Sequence, residues 1–162
     1  MKVIGVSTTG DKRASRRRLR MQDYLPYQLA ILSSRLSLAL EEVFGKEHGL
    51  TRTEWRVLAL SSEVESCRAS DLVLWSGVDA VAIHRAIKRL EELALVERTS
   101  ADDDKRARPL RLTDKGMNVY LSVVPNAEAL ERRLLANLDK EDVDVFKRVM
   151  KRLVAGEFDA KL

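Results

Sequence analysis

Residues 70–95, SDLVLWSGVDAVAIHRAIKRLEELAL, decide the fold of this chain. The first seven letters predict a short helix with Ser70 as its N-cap, and the glycine in SGVD predicts a tight turn. Residues 79–95 then predict a strongly amphipathic helix. Its apolar residues share one face at helical spacing: Ile83, Ile87, Leu90 and Leu93. Two short helices joined by a glycine-containing turn have the sequence form of a helix-turn-helix.

The chain after this stretch predicts a β-hairpin. Two short, partly alternating runs, LVERTS and RARPLRLT, flank a polar loop at residues 101–106. Leu110 and Leu112 are expected to face the body of the protein. A hairpin directly after the second helix of a helix-turn-helix is a wing, and a wing tip reaches a groove or phosphate backbone where arginine is favoured. This predicts a DNA-binding role for Arg106 and Arg108.

Long helices are predicted on both sides of this region. Residues 24–47 predict a long helix. Its apolar stripe is wider than a surface helix needs, which predicts that the helix is buried between partners such as a second subunit. Thr51 and Glu54 predict a capping box at the start of the next helix. Thr113 is expected to cap a later helix that continues through Pro125, and a final amphipathic helix follows.

The predicted fold class is therefore mainly α, a winged helix-turn-helix with a small β-hairpin wing and a helical dimerisation base. We assign residues 1–22 to a basic flexible N-terminal arm and residues 51–113 to the winged helix-turn-helix. Residues 23–50 and 114–162 are assigned to the dimerisation region. The 162 residues, 33% charged and 5% aromatic, suit one helix-rich domain of this kind.

The net charge of +4 belongs to the N-terminal arm. Residues 1–20 carry seven Lys and Arg against one Asp, so the other 142 residues have a net charge of −2. Such an arm can bind phosphates and release their counterions. A solvated, disordered tail has the same composition. Charge alone leaves both interpretations open.

Composition and motifs also limit the expected cellular location and the kinds of functional site. The sequence has no apolar run of the roughly 20 residues that span a bilayer and no secretory signal. Its one cysteine, Cys67, is expected to be an ordinary free thiol, so we expect a cytoplasmic protein that does not act at a membrane. There is no glycine-rich phosphate loop, nucleophile elbow or clustered set of metal ligands. The sequence therefore predicts neither an enzyme nor a metal or cofactor site.

The order of these elements resembles the MarR (multiple antibiotic resistance regulator) family. Residues 102–116, DDDKRARPLRLTDKG, resemble its wing signature, Asp-x-Arg followed by Leu-Thr-x-x-Gly. Residues 49–62, GLTRTEWRVLALSS, resemble its second helix, and residues 78–98 resemble its recognition helix and first wing strand. The resemblance covers roughly residues 25–153. One departure is Ala94, where the family usually has a helix-ending glycine.

The resemblance implies a homodimeric, DNA-binding transcriptional regulator. It further implies a repressor that a small anionic effector, aromatic or CoA-linked, releases from DNA. A two-fold dimer requires a pseudo-palindromic operator with half-sites about one helical turn apart. Two alternatives remain, a constitutive architectural DNA-binding protein and a helical protein-interaction adaptor.

The predicted recognition helix carries the residues expected to read DNA. Arg85 is expected to reach a base edge, most often guanine. Val81 and Ala82 can contact thymine methyl groups, which predicts A·T-rich half-sites. The alternative is a solvated helix face on which Arg89 pairs with a neighbouring glutamate. In the wing, an aspartate can orient an arginine. The full predicted set is Val81, Ala82, His84, Arg85, Lys88, Asp104, Arg106 and Arg108.

Arg35 is an unusual residue because helical geometry places it inside the apolar arc of the first helix. A cation there needs a partner. One interpretation is an anchor for an anionic ligand, and the other is a salt bridge to a glutamate such as Glu131. The resemblance implies small aromatic acids or CoA thioesters as the ligands. The predicted effector site consists of Tyr24, Gln28, Ile31, Arg35 and Trp55.

Overall fold

The computed structural model describes residues 19–99 and 109–156. Three predicted wing residues, Asp104, Arg106 and Arg108, lie outside the described residues, as does most of the N-terminal arm. Contacts divide the chain into two units, Met1–Ser34 and Arg35–Leu162, and each is described by itself.

In the described part of the chain, six α-helices and one two-stranded sheet follow a short 3-10 helix at Met21–Asp23. This confirms the predicted mainly α fold with a winged helix-turn-helix. The elements in chain order are α1 Leu25–His48, α2 Arg52–Ser61, α3 Ala69–Ser76, α4 Ala80–Glu92, β1 Val96–Arg98, β2 Leu110–Leu112, α5 Asp114–Leu135 and α6 Lys140–Val154.

Side-chain caps begin several of these helices where the sequence predicts them. The Thr51 hydroxyl accepts a hydrogen bond from Glu54 N at 3.4 Å, and Glu54 Oε2 accepts one from Thr51 N at 2.7 Å. This reciprocal pair confirms the predicted capping box at the start of α2. Asp79 caps α4 by accepting from Ala82 N at 2.9 Å. Thr113 caps α5 in the same way, and Pro125 lies inside α5 without ending it.

The predicted cap of α3 is wrong by two residues. The N-cap is Arg68 rather than Ser70, because the Asp71 carboxylate accepts a hydrogen bond from Arg68 N at 2.8 Å. An acidic side chain three residues after the N-cap satisfies this orphan backbone donor. At its other end, α3 stops at Gly77, whose φ of 65° lies in the left-handed region and makes the tight turn into α4.

The wing strands pair antiparallel, with Val96 opposite Leu112 and Arg98 opposite Leu110. Cys67 extends the sheet through a backbone bridge to Leu110, with N–O distances of 2.9 and 2.7 Å. Leu110 is buried and Arg111 exposed, which confirms the predicted orientation of β2. The base of the wing is therefore hydrogen-bonded to the loop before α3.

The hydrophobic core lies in the winged helix-turn-helix. The predicted apolar face of α4 is fully buried at Ile83, Ile87 and Leu90, and each such side chain contributes about 1.5–3 kcal/mol by burial. Other core residues come from neighbouring elements and include Phe44, Leu50, Trp55, Val57, Leu58, Leu72, Leu95, Val96, Leu110 and Val123.

Helices α1, α5 and α6 leave much of their apolar surface uncovered in the single chain. Helix α6 buries none of its residues, and α1 buries only Phe44. The exposed apolar side chains include Leu25, Tyr27, Leu38, Leu121, Val145, Phe146, Val149 and Leu153. Within the described residues, none of the helices combines the length and apolar character that crossing a membrane requires.

Helix α4 ends at a strained residue. Ala94 has a φ of 55°, in the left-handed region that glycine adopts freely and alanine does not. Ala94 N donates to Glu91 O and Leu95 N donates to Leu90 O, both at 2.9 Å. This pair of bonds is the Schellman pattern. The helix end is thus preserved despite the alanine, at a cost of about 1–2 kcal/mol.

Candidate nucleic-acid interface

Helix α4 presents two chemically opposite faces. Its apolar face packs into the core, and the Asp79 cap fixes its first turn. On the opposite face His84, Arg85 and Lys88 are exposed. Val81 is 61% exposed, whereas the small side chain of Ala82 is half-buried. The core thus holds the predicted reading residues of α4 on one outward surface.

Arg85 and Arg89 differ in whether they form an ion pair within the protein. Arg89 Nη1 lies 3.4 Å from Glu92 Oε2, as the solvated-face interpretation expects. Such an exposed pair contributes little to stability. Among the described residues, neither Arg85 nor Lys88 forms an ion pair or hydrogen bond with a protein side chain. Their cationic groups are therefore free to meet a phosphate or a base edge.

Two ion pairs lie at the base of the wing. Arg111 Nη2 lies 2.6 Å from Glu97 Oε1 across the two strands, and Arg98 Nε donates to Glu91 Oε1 at 2.8 Å. The second pair joins β1 to α4. The first pair links the two strands of the wing to each other. The DNA-binding roles of the wing-tip residues remain predictions.

An exposed apolar pair near the end of α3 was not predicted from the sequence. Leu74 is 79% exposed and Trp75 is 47% exposed, beside the turn that leads into α4. The short sequence of α3 obscured this, because its four consecutive apolar residues, LVLW, all suit a core. Only the structure shows that Leu72 takes the single fully buried position on α3.

A second candidate site is a cavity of about 240 Å³ between α1 and α2. Arg52 Nη2 at its rim is paired with Glu41 Oε2 at 2.9 Å. Arg56 Nη1 donates to the Ser76 carbonyl at 3.4 Å, which connects the cavity to the last residue of α3. The lining residues are Ser37, Leu40, Phe44, Arg52, Trp55, Arg56, Ala59 and Leu60.

The sequence analysis included Trp55 in a ligand site but missed the two arginines beside it. Their spacing, four residues apart on α2, was a usable signal because such residues share a helix face. Trp55 itself stacks between two rings, with its centroid 5.6 Å from Phe44 and 5.9 Å from Tyr120. It is therefore a core residue that also lines the cavity.

The other predicted effector residues are distributed over both units of the chain. Tyr24, Gln28 and Ile31 belong to the N-terminal unit, where Gln28 Nε2 donates to Gln22 O at 2.7 Å. Arg35 belongs to the second unit and is exposed in the single chain. Its alternative partner, Glu131, is paired instead with Lys147 at 2.7 Å.

Cys67 is buried in the core, 4% exposed, and its Sγ lies 3.6 Å from Ser61 Oγ. Burial raises the pKa of the Cys67 thiol, a nearby Asp71 charge adds to this, and the Ser61 hydrogen bond opposes it. A protonated, inaccessible thiol is unreactive. Within residues 19–99 and 109–156, no three His, Cys, Asp or Glu side chains are grouped so that they could hold a metal ion.

Comparisons with known proteins agree with this architecture. The MarR family model matches residues 48–107. A solved MarR family transcriptional regulator from Silicibacter pomeroyi DSS-3 is 30% identical, with a TM-score of 0.72 over 85% of this chain and 98% of that one. An HTH-type transcriptional repressor of Mycobacterium tuberculosis is 27% identical over 80% of this chain and 91% of its own length.

A more distant likeness shows the shared fold only. CouR from Rhodococcus jostii RHA1, solved with p-coumaroyl-CoA bound, is 20% identical, with a TM-score of 0.74 over 88% of this chain and 99% of that one. The fold, the exposed face of α4 and the 30% identity across almost an entire solved relative lead to one conclusion. The chain belongs to the MarR family of DNA-binding transcriptional regulators and is not an enzyme.

Proposed function

We propose that this regulator is a homodimeric repressor that binds a pseudo-palindromic operator and leaves it when a small anionic effector binds. The observation that carries the proposal is the exposed face of α4, where Arg85 and Lys88 are free of protein partners among the described residues. The repressor named among its relatives supports the direction of regulation. The proposed place of action is the cytoplasm.

Dimerisation is the simplest way to cover the apolar surface that the single chain exposes on α1, α5 and α6. A contiguous apolar surface on a folded chain commonly marks an interface with another protein. A two-fold pair of such chains would carry two copies of α4. Its operator must then repeat with the same symmetry.

In the proposed complex each α4 enters a major groove and each wing reaches the flanking minor groove. Arg85 contacts a base edge, and Lys88 and His84 contact phosphate or base. Val81, 61% exposed on the first turn of α4, contacts a thymine methyl group, and Ala82 stands beside it. In the wing, Arg106 and Arg108 contact the minor groove or its phosphates, with Asp104 orienting an arginine.

The DNA-binding proposal is tested by selecting duplexes from a random library with the wild-type chain, then measuring affinities of variants for the selected duplex. Arg85→Ala should weaken binding about 10- to 100-fold through loss of a base contact. Arg132→Ala, which removes an exposed α5 arginine paired with Glu128, is the control and should bind normally. Equal affinities for wild type and Arg85→Ala would contradict the proposal.

A salt titration with selected and random duplexes separates the two alternatives. A repressor binds its operator about 10³-fold or more tightly than random DNA. An architectural protein would bind both duplexes alike, and an adaptor would bind neither.

For the effector we propose the cavity between α1 and α2 as the binding site. An aromatic ring suits the Phe44 and Trp55 side chains, and Arg52 and Arg56 supply cations for a carboxylate. Its volume of about 240 Å³ favours a single-ring acid. A CoA thioester, of the kind bound by CouR, would have to extend out of the cavity.

Arg56 would couple effector binding in the cavity to the position of α3 and α4. Its guanidinium donates to the Ser76 carbonyl at the end of α3, next to the turn that positions α4. A carboxylate bound in the cavity would compete with this carbonyl for the same cation, and a charged acceptor makes the stronger hydrogen bond. Loss of the Arg56–Ser76 contact would then loosen the turn.

Thermal-shift measurements with benzoate, coumarate and coumaroyl-CoA test this site. We expect at least one anion to stabilise the wild type, and Arg56→Met to abolish that shift. Arg35→Ala tests the residue that the sequence analysis favoured. If Arg35→Ala abolishes the shift and Arg56→Met keeps it, the cavity is not the effector site.

A further inference from the structure

The C-terminal end of α4 is held by the first turn of α5. Three successive carbonyls directly after the last helical residue of α4, those of Leu93, Ala94 and Leu95, each accept a hydrogen bond from α5 or its cap. Lys115 Nζ donates to Leu93 O at 2.8 Å, and Thr113 Oγ1 donates to Ala94 O at 2.8 Å. Thr113 N donates to Leu95 O at 3.1 Å. We call this group of contacts the α4–α5 clasp.

In the clasp, the Thr113 hydroxyl both donates and accepts a hydrogen bond. The Thr113 hydroxyl donates to Ala94 O and accepts from Gly116 N at 3.0 Å, so one side chain binds the segment that follows α4 and caps α5. The Lys115 ammonium lies at the negative end of the α4 dipole, where a cation is favoured. The last carbonyls of a helix otherwise have no intrahelical partner.

Gly116 allows the two helices to approach this closely. A Cβ atom at residue 116 would lie 2.0 Å from Leu95 O. The absence of a side chain therefore brings α5 into backbone contact with the segment that follows α4. This close approach limits how far the segment after α4 can lie from the first turn of α5.

We propose that Lys115 is a positioning residue for DNA recognition. It acts through the backbone of Leu93 and contacts no DNA. Together with Thr113 it transmits the orientation of α5 to α4, so that the dimer base sets the angle at which α4 enters the groove. This inference rests on the proposed function, because an angle set by the base matters only if two copies must fit one operator.

The test compares Lys115→Met, Lys115→Arg and the charge-matched control Lys46→Met, which removes an exposed α1 lysine paired with Glu42. Two readouts are needed. The first is amide hydrogen exchange of residues 90–96 in the free protein. The second is affinity, across salt concentrations, for the duplex selected by the wild type and for a random duplex.

We expect faster exchange at residues 90–96 in Lys115→Met than in the control. Because the Lys115 side chain is exposed, affinity for the selected duplex should fall only about fivefold to tenfold. Affinity for random DNA and the salt slope should stay unchanged, and Lys115→Arg should restore binding. This pattern identifies a residue that orients α4 without touching phosphate.

Other outcomes overturn the inference. If Lys115→Met weakens both duplexes equally and lowers the salt slope by about one, Lys115 is a phosphate contact. If exchange rises but selected-duplex affinity stays unchanged, the clasp does not position α4. If the wild type selects no duplex, the proposed function itself fails, and the exchange data still report whether the clasp exists.

Discussion

Among single residues, Ala94 lies just after α4 in a backbone conformation that is unfavourable for alanine. The surrounding hydrogen bonds hold Ala94 at a left-handed φ of 55°, which alanine alone disfavours. The Schellman bonds and the Thr113 hydroxyl together hold this backbone in place. The molecule therefore stores conformational strain directly after α4.

Replacing Ala94 by glycine should relieve this strain. We expect Ala94→Gly to raise the free energy of unfolding by about 1 kcal/mol, because glycine adopts positive φ without steric penalty. Urea denaturation measures the change. Ala155→Gly is the matched control, since Ala155 ends α6 with an ordinary φ of −68°. An equal gain in both variants, or none in Ala94→Gly, would contradict the account.

The buried thiol of Cys67 should make the stability of the protein depend on pH. Because burial raises its pKa, the unfolded chain loses the thiol proton at a lower pH than the folded chain does. The resulting stabilisation is complete below the ordinary cysteine value of 9.0 and is lost as pH rises through the folded value. The stability of wild type relative to Cys67→Ala should therefore fall in alkaline buffer. Equilibrium denaturation at several pH values checks this, and a rising difference would refute it.

Native Cys67 should also react slowly with iodoacetamide at neutral pH and rapidly in urea. Mass spectrometry of the labelled chain gives the rate. Fast labelling of the native protein would show that the thiol is accessible.

At the scale of elements, the contact between α4 and α5 depends on Gly116. Gly116→Ala should destabilise the fold by about 3 kcal/mol, because its Cβ would overlap the Leu95 carbonyl and two backbones would have to move apart. Gly45→Ala is the control, since a Cβ there would meet Leu50 O at an ordinary 3.6 Å. It should stabilise α1 by up to about 1 kcal/mol. Thermal and urea unfolding compare the two, and equal stability would contradict this packing.

Sequence patterns predicted the elements whose causes are local. The apolar spacing of α4, the Thr51 capping box and the Thr113 cap all depend on residues within one turn of each other. The prediction of Ser70 as the cap was wrong because the Asp71 carboxylate binds the backbone N–H of Arg68, and the helix therefore begins two residues earlier.

The cavity with Arg52 and Arg56 was missed for a different reason. It depends on how α1 and α2 pack, and on the carbonyl of Ser76, which lies 20 residues along the chain from Arg56. A pattern of neighbouring residues cannot predict a contact between residues this far apart in the sequence. Likewise, the exposure of Leu74 and Trp75 follows from which side of α3 meets α4.

At the scale of the whole molecule, the account requires a second copy of the chain. The apolar face of α6 includes Phe146, Val149 and Leu153, all exposed in the single chain. A charge introduced among them should weaken the proposed dimer, because it could not be buried without a partner.

We expect Phe146→Asp to shift the sedimentation coefficient toward that of one chain at concentrations where wild type is a dimer. Arg148→Asp, which lies on the polar side of α6, should leave the wild-type value nearly unchanged. A wild type that sediments as a single chain would remove the basis for the proposed operator symmetry.

Hydroxyl-radical footprinting of the selected duplex tests whether two copies of α4 bind successive turns of one duplex, because it reports which sugars the bound protein protects. We expect two protected tracts on one face of the duplex, with centres about 10 base pairs apart. The Arg85→Ala variant should lose both tracts together. A single tract, or uniform protection along the duplex, would contradict the claim that paired chains read successive turns.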